Sequence, residues 1–198
     1  MKDQQKKYEL TDEFVVHWSG KKLYRIKALV SFGVVVAGQL GGFVESEKNL
    51  DQSLSGNAWV FGDAEVYGNA EVYGDARVYG NAEVFGDARV YGDARVYGNA
   101  EVYGNAEVFG DARVYGNAWV RSYAVISDRK MIFWASNVGS ENGTLTVFNG
   151  KDGLIVTRGC FTGTVDEFLA KSAEVHDDKT KNEYKLLIEV AKSRILGG

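Results

Sequence analysis

Gly74-Asp75-Ala76-Arg77-Val78-Tyr79, GDARVY, is one of eleven hexads that follow one another without a break from Gly56 to Arg121. Aligned on their glycines, all eleven carry Ala in third place and Val in fifth. A period of two puts these positions on one side of an extended strand and positions four and six on the other. Gly in first place and Asn or Asp in second accept the positive dihedral angles that a tight corner needs. Each hexad is therefore a short strand followed by a bend.

Two arrangements of such units compete. A flat antiparallel meander would lay every Ala and Val on one face of a single sheet, and nothing else in the repeat could cover that face. A coil that turns the same way at each corner buries the face against itself. Three hexads make an 18-residue triangular turn whose interior holds three Val and three Ala, which suits a narrow prism. The reading is a parallel β-solenoid, mainly β, in which each coil hydrogen-bonds to its neighbours. Here the sequence resembles the hexapeptide-repeat, left-handed β-helix class, and the handedness is implied by that resemblance.

The same phase extends outward through Leu54 on one side and through Ile126, Ile132 and Val138 on the other. Counting from Leu50 to Phe133 gives fourteen hexads, between four and five coils and a prism about 22 Å tall. Open ends of such a prism would expose unpaired strands, so the flanks are expected to act as caps. The chain divides into an N-terminal β cap (1–49), the solenoid (50–133) and a C-terminal α/β cap (134–198).

In the N-terminal cap, Phe14 to Trp18 and Lys22 to Leu29 read as strands about a Ser19-Gly20 turn, Val34 to Ala37 as a third, and Gly41-Gly42 as the lead into the solenoid. In the C-terminal cap, Thr144 to Phe148 and Leu154 to Thr157 read as a hairpin. Thr164-Val165-Asp166-Glu167 is a capping box opening a helix to about Val175, and Thr180-Lys181-Asn182-Glu183 opens a second, to Ile195 or Leu196. Leu187, Val190, Ala191 and Arg194 give the second helix a stripe at helical spacing.

These ends carry a second resemblance. AGQLGGFVES ahead of the hexads and RGCFTGTVDEF with a terminal helix behind them make the chain similar to hexapeptide-repeat proteins of bacteriophages and prophages, over nearly its whole length. The resemblance implies a phage-associated protein at work in the host bacterium's cytoplasm. It implies no reaction, because fold analogy does not establish chemistry.

Charge and composition exclude several functions. The block from Gly56 to Arg121 holds ten acidic residues against five arginines and no lysine, in a chain of net charge −4, the reverse of the basic stripe of a nucleic-acid binder. The longest apolar stretch, Ala28 to Ala37, is interrupted by Ser31 and Gly33 and is too short to span a bilayer. A single cysteine, Cys160, forms no internal disulfide and is read as a buried structural thiol, which fits a reducing cytosol. Left-handed β-helix acyltransferases need a histidine base near a coil edge, and their metal-dependent relatives need three histidines. This chain has only His17 and His176, both outside the repeats: His17 is read as structural and His176 as the end of a helix. Cysteine and histidine do not cluster at metal-ligand spacing. No catalytic residue, cofactor or metal is assigned.

The candidate binding surface is periodic. Position six is aromatic in ten of the eleven hexads, and a spacing of eighteen stacks these rings into three ladders, among them Tyr79, Tyr97 and Tyr115. Position four stacks Arg77, Arg95 and Arg113 on one face and Glu65, Glu83 and Glu101 on another. An all-arginine column arises by chance in about one arrangement in seven. Asp in second place accompanies Arg in fourth at Asp75/Arg77, Asp93/Arg95 and Asp111/Arg113, so local charge balance is expected to steady the ladder. Three wet aromatic faces are more than a lone monomer usually exposes. The expected role is thus a non-catalytic solenoid that binds a protein partner, a bacterial host protein in a phage setting, or further copies of itself in a homo-oligomer. An acyltransferase-like enzyme and a polymer-forming structural protein are the alternatives.

Overall fold

The computed structural model describes residues 5–197. Successive hexads occupy three parallel sheets in rotation. The glutamate face stacks strands Leu40–Val44, Glu65–Val66, Glu83–Val84, Glu101–Val102 and Trp119–Val120. A mixed face stacks Glu71–Val72, Arg89–Val90, Glu107–Val108 and Val125–Ile126, and Leu50 bridges to Val72 at its top. The arginine face stacks Trp59–Val60, Arg77–Gly80, Arg95–Gly98 and Arg113–Val114. Val96 pairs in register with Val78 on one side and Val114 on the other, so each coil advances by eighteen residues.

The interior is what the hexad dictates. All eleven Ala and all eleven Val of positions three and five are 0–1 % exposed and belong to one continuous apolar column. Burying a valine side chain is worth roughly 1.5–2 kcal/mol against leaving it in water, so this column is the main driving force of the fold. At the corners, glycines such as Gly98 adopt positive φ (+76°), and a Cβ there would stand 3.0 Å from the backbone nitrogen of Gly116 in the next coil.

The first coil departs from the pattern. Val44 pairs with Val66 and Leu50 with Val72, steps of twenty-two residues, whereas Val60 pairs with Val78 at eighteen, so the four extra residues lie between Leu50 and Trp59. Leu54 does not continue the buried phase: it is 50 % exposed, in a segment that leaves the tube wall. Parallel pairing instead reaches back to Leu40–Val44, a strand expected at Val34 to Ala37. Those four residues make only an isolated bridge, Phe32 to Val35. Gly41 and Gly42 lie inside the strand, where Cβ atoms would meet the carbonyl oxygens of Val60 and Ala64 at 2.6 and 2.5 Å. Close packing, not a lead-in, is their role. Strands Tyr8–Val16 and Lys22–Ala28 form an antiparallel hairpin that continues this sheet, the first of them beginning six residues before the expected Phe14.

Both ends of the tube are closed by polar groups from distant parts of the chain. At the top, the Lys7 ammonium, 0 % exposed, donates to the carbonyls of Gly56 and Ala58 and sits over the Phe32 ring. The Asn49 amide donates to Gly68 and Ala70. At the bottom lies an antiparallel meander, Ile132–Val138, Gly143–Gly150, Gly153–Arg158 and Phe161–Thr164, where only the central hairpin is visible in the sequence. Thr146 and Thr157 point from it to the last coil: Trp119 N–H donates to Thr146 Oγ1 and Thr157 Oγ1 donates to the Trp119 carbonyl. The opposite side of the meander carries Leu145, Val147 and Val156 against helices α1 (Val165–Val175) and α2 (Asp178–Leu196).

Thr164 and Glu167 close the capping box of α1. Helix α2 starts two residues earlier than Thr180, because the Asp177 carboxylate accepts from the Thr180 N–H. Its buried stripe is Tyr184, Ile188 and Ala191, while Val190 and Arg194 face out. The expected stripe is thus rotated, since Tyr184 docks beneath Phe168 and Arg158. Among the described residues, no helix is long and apolar enough to cross a membrane.

Candidate functional site

Parallel stacking brings all six residues singled out in the sequence onto the arginine face. Arg77, Arg95 and Arg113 are register partners. Beside them the rings of Tyr79, Tyr97 and Tyr115 stack face to face, 4.8 and 5.0 Å apart at 3° and 5°. Burial raises the Tyr97 phenol above its ordinary pKa, and the flanking tyrosines add to this while Arg113 and Arg95 oppose it. At neutral pH the Tyr97 hydroxyl is therefore neutral, beside three arginine cations.

Among the described residues, no carboxylate lies within 4.0 Å of the guanidinium of Arg77, Arg95 or Arg113. The intrahexad Asp–Arg balance expected from the sequence does not form as contacts, because the second position sits on a corner while the fourth lies on a flat face. Corner side chains bond to one another instead: Asp75 accepts from Asn57, Asp87 from Asn69, and Asn81, Asn99 and Asn117 form a ladder. Asp111 turns to Arg129 at 3.3 Å.

The other two aromatic ladders differ in cover. Tyr73, Tyr91 and Phe109 stack at 4.8 and 5.0 Å on the mixed face, where Arg89 approaches Glu107 at 4.0 Å. Tyr67, Phe85 and Tyr103 stack on the glutamate face, but there the hairpin folds back over the top, burying Tyr67 with Leu23 and Phe43. At the bottom Arg121 donates to Tyr103 Oη and to the carbonyls of Gly159 and Phe161. Caps touch the arginine face at both ends: above, Trp59, the register partner of Arg77, is 0 % exposed beneath Tyr8 and Phe32, and below, Trp134 stands edge-on to Tyr115 at 4.1 Å, while the rungs between carry no cap. Fewer than three aromatic faces are therefore wet.

The remaining chemical groups stand apart. Cys160 is exposed, not buried, because its turn, Gly159–Cys160, bends outward between the last two strands of the meander. It borders a cleft of about 330 Å³ together with Arg158, Lys171 and His176. His176 caps the end of α1 and packs on Tyr184. His17 belongs to the opposite cap, so the two histidines share no site.

Fold and faces together define a class: a parallel β-solenoid of 18-residue, three-sided coils, closed at both ends and carrying ring and charge ladders on its walls. Within it, the coils are similar to the repeat described as YdcK Beta solenoid repeat, whose family model matches three overlapping stretches, residues 76–92, 82–98 and 88–104. Each match is displaced by one hexad from the last, and together they cover the Arg77–Gly80 and Arg95–Gly98 rungs of the arginine face. No curated protein matches the chain.

Proposed function

We propose that the chain is a non-catalytic binding solenoid whose arginine face receives an acidic surface of a protein partner. One observation carries this reading: three arginines with no carboxylate partner among the described residues stand in register at the spacing of stacked coils, beside three parallel tyrosine rings. Arginine and tyrosine dominate protein interfaces because each joins a large flat apolar body to a polar end. A face of this size projects about 450 Å², short of the roughly 800 Å² per partner of a standard interface, so the partner also engages the Asn81–Asn99–Asn117 corner and an adjoining cap. The resemblance of both ends to phage and prophage hexapeptide-repeat proteins supports a setting in the host cytoplasm, with a host protein as the partner.

Reversal of the three charges, Arg77→Glu with Arg95→Glu and Arg113→Glu, tests the reading while leaving the buried column intact. Capture of the partner from host cells is expected to fail with this variant, and with the wild type to weaken as salt rises from about 50 to 300 mM. Capture that survives the triple reversal would remove this face from the account. A wild-type mass in solution above the monomer, collapsing in the variant, would make the partner a second copy.

A further inference from the structure

His17 lies at the end of the N-terminal hairpin, where the chain folds back over the glutamate face. Its side chain is 5 % exposed, wedged between Tyr67 and Trp18 with ring centroids at 4.6 and 5.1 Å. Nε2 is buried and has no hydrogen-bond partner among the described residues. It is aimed at two carboxylates: Glu83 Oε2 stands 3.9 Å away, and one ligand atom from each of His17, Glu65 and Glu83 falls within 4.8 Å of the others. Glu65 and Glu83 are register partners on adjacent rungs.

An orphaned ring nitrogen facing two stacked carboxylates is costly as it stands. At 3.9 Å an Nε2–H would be too far from Glu83 to hydrogen-bond, and a bare lone pair would face negative charge. A cation makes all three contacts favourable. The other ring atom has a partner for this: Nδ1 is 2.7 Å from Ser19 Oγ and accepts from the Ser19 N–H at a longer 3.3 Å, and on binding a cation an Nδ1–H donates over the shorter contact, in place of the longer one, leaving the Nε2 lone pair facing the carboxylates. Ligating histidines are ordinarily oriented by such a second hydrogen bond. Tyr67 Oη donates to Glu83 Oε2 at 2.9 Å and fixes that carboxylate.

We propose that His17 Nε2 and one carboxylate oxygen each of Glu65 and Glu83 form a three-ligand site for a divalent transition-metal cation of the Zn²⁺ class. One imidazole with two carboxylates suits such an ion, whereas an all-oxygen shell would suit Mg²⁺ or Ca²⁺. Ligand distances of about 2.0–2.2 Å require the three atoms to close by about 1 Å, which the half-buried glutamates supply by rotation. Water takes the fourth position. The bound ion clamps the hairpin turn to two rungs of the solenoid, on a different face from the arginine ladder.

Titration of the metal-stripped full chain with Co²⁺, followed by displacement with Zn²⁺, tests the site. One equivalent of Co²⁺ with the visible spectrum of a four- or five-coordinate ion is expected, and a rise in Tm with Zn²⁺. His17→Gln, and separately Glu65→Gln and Glu83→Gln, should abolish stoichiometric binding, with far-UV circular dichroism reporting whether each variant is folded. Ser19→Ala should keep the stoichiometry with Kd about tenfold higher, and Cys160→Ser and His176→Ala should change nothing. Wild-type chain that takes up no stoichiometric Co²⁺, uptake that survives His17→Gln or both glutamate changes, or uptake lost with Cys160→Ser or His176→Ala, would each overturn the proposal.

Discussion

The ring of Tyr97 lies parallel to that of Tyr79, centroids 4.8 Å apart and planes 3° apart, because Val96 and Val78 behind them are register partners inside the tube. The outer ladder thus reads out the inner one. Tyr97 has a second stacked neighbour, Tyr115, and so holds two coils to its own.

Removing the middle ring should therefore cost most. Tyr97→Ser is expected to lower stability by about 1–3 kcal/mol, two stacking contacts, and Tyr79→Ser by about half as much. Denaturant midpoints of the two variants measure the difference. Equal losses would show that the stacks contribute little beyond the apolar area they cover.

The corners predict a pair of opposite effects at equivalent positions. Ser122 takes the place of a hexad glycine with φ +65°, a conformation costing a side-chain-bearing residue about 1–2 kcal/mol. Ser122→Gly should raise Tm. Gly98→Ala, at φ +76° and 3.0 Å from Gly116 N, should lower it by more than that gain, since a contact within the ladder is added to the strain. Calorimetry of both variants checks the two signs.

Lys7 closes the top of the tube with a buried ammonium. Burial lowers its pKa, opposed by Asp51 and Asp75, and the carbonyls of Gly56 and Ala58 are its hydrogen-bond acceptors. Lys7→Ala should cost about 2–3 kcal/mol, since it leaves these acceptors with no donor beneath the hairpin. Hydrogen exchange in Trp59–Val60 should accelerate before exchange in the lower rungs, because the loss is local to the top coil.

Glu45 ties the hairpin turn to the first corner, accepting from Lys21 Nζ at 3.0 and 2.8 Å and from Gly68 N–H at 2.7 Å. Burial is the largest single influence and works upward, but Lys21 and Gly68 together outweigh it and hold the carboxyl below its ordinary range. A depressed carboxylate contributes stability that is complete above the unfolded-state pKa and disappears as pH falls through the folded-state value. Glu45→Gln should thus cost about 1 kcal/mol at pH 7, the side chain being 30 % exposed, and almost nothing at pH about 3. Urea midpoints at the two pH values give the test, and a penalty that persists in acid would count against the charge as its source.

Much of the solenoid is legible in six residues because its core is local in pattern. Ala76 and Val78 face inward for the same reason that Arg77 and Tyr79 face outward, and a coil of three such strands repeats every eighteen residues. Leu54 misled because it keeps the phase without the rest of the hexad: Leu50 stands where glycine belongs and Gln52 where alanine belongs. Cys160 misled because a small thiol between Gly159 and Phe161 looks apolar in a strand context, whereas the turn that exposes it depends on the pairing of Arg158 with Phe161.

By itself the sequence determined the strand, the bend, the eighteen-residue advance and hence the alignment of Arg77, Arg95 and Arg113. All of these follow from side-chain alternation and from corner residues a few positions apart. Only the tertiary structure decided which groups close the tube, Lys7 above and Thr146 with Thr157 below, and which wall the hairpin covers. It alone sets His17 against Glu65 and Glu83. Such contacts join segments remote in the chain, and their partners are chosen by where a folded surface leaves a polar atom unsatisfied, a quantity that exists only once the coils have stacked.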